Sequence, residues 1–171
     1  MAEGVNHEIG FQALKFMLLY CYDLEVKHIT AYAFKYFDNF RRKPEEVQKL
    51  MDLMMEKMQL LKENESLLHH KQVRVHIAGN LELLNPSLRD EAKRLMELTA
   101  GYSKAVFTVC FAYTSPDEIV HAVQESCQEN CNEIEDQTKD LSLNLVDIEK
   151  HIYMTIAPYP DILIGHWGRV A

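Results

Sequence analysis

No run of apolar residues in this chain is long enough to cross a bilayer, and the N-terminus, Met-Ala-Glu-Gly-Val-Asn-His-Glu, lacks the basic start and apolar middle of a secretory signal. Both absences predict a protein made in the cytosol. Basic residues are a minority. The 18 Lys and Arg stand against 26 Asp and Glu, and the resulting charge of -8 excludes the concentrated cationic surface that nucleic acid requires. Much of the acid lies between Asp117 and Glu149, in no spacing that matches a calcium loop, and reads as a solvated face. Four cysteines do not make a disulfide framework in a chain of 171 residues. Cys21 and Cys110 sit in apolar runs as small hydrophobes. Cys127 and Cys131 can share a helix face, but no paired His or Cys ligands follow at metal spacing. Glycine is also scarce, and Ala78-Gly79-Asn80 is too poor in it for a phosphate-cradling nucleotide loop.

What is present is a 47% hydrophobic, 26% charged composition, enough for one globular domain with a substantial core. Leu14, Met17, Leu18 and Cys21 recur at helical spacing and predict a helix from about Glu8 to Asp23. His28 to Phe34, Gln72 to Ala78 and Ala105 to Ala112 are β-favouring and nearly continuous, as expected of strands covered on both faces. Pro44 opens a long helix whose stripe runs Val47, Leu50, Met51, Met54, Met58, Leu61. Asn85-Pro86 starts another, carrying Leu88, Ala92, Leu95 and Met96 until Gly101. Ser115-Pro-Asp-Glu118 reads as a capping box with Pro116 at the first helical position. A short helix from Leu145 to Ile152 and a last strand from Pro160 to Ile164 complete the pattern. Alternating strand and helix predict an α/β fold, a mainly parallel β-sheet covered by helices. Its chemistry then belongs at the carboxyl ends of the strands.

After the first strand the sequence reads Tyr32-Ala-Phe-Lys-Tyr-Phe-Asp-Asn-Phe-Arg-Arg-Lys-Pro44. This resembles the cis-prenyltransferase block in which Tyr-Ala-Phe-Ser leads to an acidic residue, Asn, an aromatic and an Arg. Here Lys35 replaces the Ser and one residue is added before Asp38. Three more stretches match in family order: Glu3 to Gly10, Cys110 to Ile119 and Pro158 to Ile164. The wording is nearest to plant members of the undecaprenyl and dehydrodolichyl diphosphate synthase type.

The resemblance implies cis addition of isopentenyl diphosphate to an allylic diphosphate, with Mg2+ as cofactor. It assigns Asn39 to the reacting centre, with His7 as an assisting polar group and Asp161 as an orienting one. Phe40 and Arg42 go to the diphosphate substrate, and an Arg fork suits phosphate oxygens. Met51, Met54, Met55 and Met58, with Leu60, are assigned to a tunnel for the isoprenoid chain, although a Met stripe equally fits an ordinary core and periodicity does not separate the two. His76 and His121 match no block residue and read as structural.

Two family segments do not occur in the sequence. The Asp-Gly-Asn that supplies the magnesium-linked aspartate is absent, and Ile164 is followed by Gly-His-Trp-Gly-Arg-Val-Ala in place of Arg-Thr-Ser-Gly-Glu. The expectation is therefore a partial, incomplete catalytic domain over 1–164, a divergent tail over 165–171, and impaired turnover. The alternative is a non-catalytic truncated isoform that partners a full-length synthase. A homodimer, a Nogo-B-receptor-like subunit and peripheral association with the cytosolic face of the endoplasmic reticulum are further family implications.

Overall fold

The computed structural model describes residues 2–32, 44–63, 65–132 and 144–164. Helix α1 spans Ala2–Asp23 and leads to strand β1, His28–Tyr32. Helices α2, Pro44–Glu63, and α3, Glu65–Lys71, precede β2, Val73–Ala78. A 3-10 turn over Leu81–Leu83 leads to α4, Pro86–Thr99, then β3, Ala105–Cys110, α5, Ser115–Asn132, and α6, Leu145–Lys150.

Among the described residues the three strands form one sheet in the order β1-β3-β2, with both pairings parallel. The last strand in sequence is thus central, and it is the most continuously apolar because helices cover both its faces. One face carries the main core. Met54 and Met58 of α2, Leu88, Ala92 and Leu95 of α4, and Val75 and Ile77 of β2 are buried together there. Burying each large side chain is worth about 1.5–3 kcal/mol.

Helix α4 shows how sequence sets the local structure. The Asn85 side chain accepts a hydrogen bond from the Leu88 amide at 2.9 Å, and Pro86 occupies the first turn, where no amide partner is needed. Leu88, Ala92, Leu95 and Thr99 then fall on one buried face. That face also closes an edge of the sheet. The Val75 amide donates to Thr99 Oγ1 at 3.0 Å and the Ile77 amide to Met96 Sδ at 3.3 Å. The outward amides of β2 are therefore engaged by a helix, one of the ways proteins blunt an edge strand.

Two expectations need correction. The capping residue of α5 is Thr114, not Ser115: Thr114 Oγ1 accepts from the Asp117 amide at 3.2 Å and its carbonyl from the Glu118 amide at 3.0 Å. Residues 160–164 form no strand; Ile162, Leu163 and Ile164 are 79%, 85% and 86% exposed. β propensity alone does not make a strand without a neighbour to pair with.

Candidate functional site

The register brings all three strands to an end at one level, where Tyr32, Cys110 and Ala78 are partners across the sheet. Beyond that level the ends of β2 and β3 cross. Gly79 has φ +131°, and a Cβ there would lie 1.9 Å from the Phe111 carbonyl oxygen, so only glycine fits. The crossing is fastened by the Phe111 amide donating to Ala78 O at 2.7 Å and the Asn80 amide to Ala112 O at 3.3 Å. Ala112 itself takes φ 47°, which turns the chain sharply into Tyr113.

Below this turn lies a buried carboxylate. Glu118, 8% exposed, accepts a hydrogen bond from Tyr113 OH on Oε2 at 2.7 Å and one from the Met154 amide on Oε1 at 3.3 Å. It joins the end of β3, the first turns of α5 and the segment after α6. The Tyr113 ring meets Tyr32 edge to face, with centroids 5.6 Å apart. Desolvation, and then the bond to Glu118, hold the Tyr113 phenol well above its ordinary range. Tyr32 is raised too, mainly by desolvation, with smaller contributions from Cys110 and Glu118. The Cys110 thiol is pushed up to about 12 by desolvation and then by Glu118, so it is no nucleophile.

A second tyrosine fastens the neighbouring segment. Tyr153 stacks on His121 at 4.6 Å, its carbonyl meets His76 Nε2 at 2.9 Å, and its hydroxyl donates to Asp117 Oδ2 at 3.5 Å. Desolvation, then Asp117, push that phenol up to about 12. His76 and His121 are thus both engaged in packing.

At the opposite end of the strands, on the α1 side, is an apolar cavity of about 110 Å³. Leu18 and Tyr22 of α1, Leu60 of α2, Leu68 of α3, and Ile29 and Phe107 of the sheet are among its walls. Lys71 borders it, with Nζ 4.3 Å above the Tyr22 ring and 3.7 Å from Asp23. An apolar hollow of this kind suits a hydrocarbon.

The residues expected at the site divide into three groups. Asn39, Phe40 and Arg42 lie outside the described residues, on the segment that leaves β1 after Tyr32. His7 falls within α1, and its side chain also lies outside the described ones. Asp161 is exposed in the irregular segment before Ile162. Met54 and Met58 are buried in the main core and Met51 and Met55 pack against it, while α2 offers the cavity Leu60 and Leu61. Tyr113 was not singled out from sequence, and Glu118 was read only as the last residue of a capping box. Thr114, a second good capping residue just before Ser115, was the available sign that Glu118 need not reach back to the cap.

Among the described residues no three His, Cys, Asp or Glu side chains gather to hold a metal ion. None of the described helices is long and apolar enough to cross a membrane.

A family model described as "Putative undecaprenyl diphosphate synthase" matches residues 1–170. Dehydrodolichyl diphosphate synthase 6 of Arabidopsis thaliana is 45% identical, over 99% of this chain and 63% of its own length. The human dehydrodolichyl diphosphate synthase complex subunit is 37% identical, over 96% of this chain and 48% of its own length. Among solved structures, lavandulyl diphosphate synthase from Lavandula x intermedia, in complex with dimethylallyl diphosphate, aligns with a TM-score of 0.74 at 21% identity. That alignment covers 88% of this chain and 62% of the other, and shows a shared fold. The chain spans less than two thirds of the length of these relatives. With the fold, the order of the matching blocks and the family match in agreement, this chain belongs to the undecaprenyl diphosphate synthase family, the cis-prenyltransferases.

Proposed function

We propose that this chain handles prenyl diphosphates, holding the diphosphate head at the carboxyl ends of the strands and the hydrocarbon behind it, on the helix-covered face of the sheet. The observation that carries this reading is the arrangement of the sheet. All three strands stop at one level, and an apolar cavity lies toward their other end. An amphiphile with a charged head and an apolar tail matches that polarity. The reaction is cis addition of isopentenyl diphosphate to an allylic diphosphate. Arg42 grips phosphate oxygens, Asn39 orients the reacting end, Phe40 packs on the substrate, and His7 and Asp161 assist and orient.

The 171-residue polypeptide assayed alone should turn over slowly. Ionising an allylic diphosphate depends on charge-stabilising groups already in place, each worth about 3 kcal/mol in the barrier, and the Asp-Gly-Asn and Arg-Thr-Ser-Gly-Glu segments are not in its sequence. A second reading, a partner of a full-length synthase, is favoured by the human relative, whose name makes it a subunit of a complex.

Labelled isopentenyl diphosphate, farnesyl diphosphate and magnesium, incubated with the protein alone and with a full-length synthase, test both. Little extractable polyprenyl product is expected from the protein alone. Brisk elongation would refute the impairment. Failure to bind farnesyl diphosphate would refute prenyl-diphosphate handling itself.

A further inference from the structure

Among the described residues neither a metal cluster nor an ion pair accounts for the buried carboxylate of Glu118. Burying such a group is costly unless its oxygens are engaged, and both are: one by the Tyr113 hydroxyl, the other by the Met154 amide. The result is to fix one ring. Tyr113 has its hydroxyl tied from below and its ring set against Tyr32, at the level where the strands end. Tyr32 is 61% exposed and Tyr113 partly so, which leaves aromatic surface open to a ligand. In sequence, Tyr32 stands seven residues before Asn39 and ten before Arg42.

Two neutral aromatic rings carry negative potential on their faces, which suits the positive charge that an allylic carbon develops as its diphosphate leaves. A free tyrosine would swing among rotamers; one tied through its hydroxyl is already in place. We propose that Tyr113, locked by Glu118 and set edge-on to Tyr32, is the floor on which the reacting allylic end of the prenyl diphosphate rests, with Glu118 as its positioning residue. The inference rests on the prenyl-diphosphate reading above and adds residues to it.

The test uses farnesyl thiodiphosphate, which resists ionisation, and inorganic pyrophosphate, which has the head without the allylic end. Both are titrated by calorimetry, with tyrosine difference absorbance recorded alongside. The wild-type chain should bind both, and only the farnesyl compound should perturb tyrosine absorbance. Glu118→Gln and Tyr113→Phe should each weaken the farnesyl compound about tenfold, the usual size for a lost hydrogen bond to a charged group. The double variant should be no weaker than either single one, because the two residues act through each other. Pyrophosphate affinity should not change.

Equal weakening of both ligands would mean a structural role alone and would overturn the proposal, as would wild-type farnesyl affinity in a folded Glu118→Gln. If that variant does not fold, Tyr113→Phe, which keeps the ring and loses one oxygen, decides the matter by the same readings. A wild-type chain that binds neither ligand would sink the prenyl-diphosphate reading itself, a result distinct from any that the variants give.

Discussion

Replacing Gly79 with alanine strikes the point where the ends of β2 and β3 cross. The new Cβ would stand 1.9 Å from Phe111 O and 3.0 Å from Phe111 C, both main-chain atoms that cannot rotate away. An L-residue at φ +131° adds backbone strain of about 1–3 kcal/mol. Relief requires the strands to part, loosening the Ala78–Phe111 and Asn80–Ala112 hydrogen bonds at a further cost of about 1 kcal/mol each. The sum is about 3–5 kcal/mol. At about 2–4 °C per kcal/mol for a chain of this size, the midpoint should fall by about 6–20 °C. Thermal unfolding followed by far-UV circular dichroism measures it. Gly101→Ala is the matched control, since nothing lies within 4 Å of its Cβ position; it should be neutral or slightly stabilising. A Gly79→Ala protein that melts within a degree or two of wild type would show that the crossing is looser than described and refute the reasoning.

Thr99→Val keeps the shape of a fully buried side chain but leaves the Val75 amide without its acceptor. The expected loss is about 1–3 kcal/mol, with faster hydrogen exchange at Val75; unchanged exchange there would contradict the edge-capping role. Alkali should destabilise the fold. Cys110 and Tyr153 are raised from 9.0 and 10.0 to about 12, and Tyr113 moves the same way. Unfolded chains therefore lose these protons first, and the stabilisation, complete below about pH 9, is lost as pH rises toward 12. Denaturant midpoints across that range measure the fall, and Tyr153→Phe should make it shallower.

Much of the fold was legible because several elements announce themselves locally. Ala105 to Cys110 is apolar at every position but Thr108, as a central strand must be, and Asn85-Pro86 carries both the cap and the first turn of α4. The order β1-β3-β2 was not legible, since parallel strands joined by helices do not state which neighbour each will take. Residues 160–164 misled for a related reason: their β propensity is local, whereas a strand needs a partner. The Met stripe of α2 was read as one face, yet the helix serves two. Met54 and Met58 are buried in the core with β2 and α4, Leu60 turns to the cavity, and Leu61 touches both. The Glu118 tie escaped notice because it joins residues up to 36 positions apart, beyond what a capping motif can reveal.

The seal that α4 places on β2 gives the sheet a direction of growth. Thr99 and Met96 already occupy the outward amides on that side, so an additional strand would join at β1, which pairs with β3 alone among the described residues. Such an addition would arrive beside Tyr32 and widen the rim formed by the strand ends, while leaving the α2 and α4 packing and the buried core as they are. Growth at that flank would let a longer chain keep this core without rebuilding it.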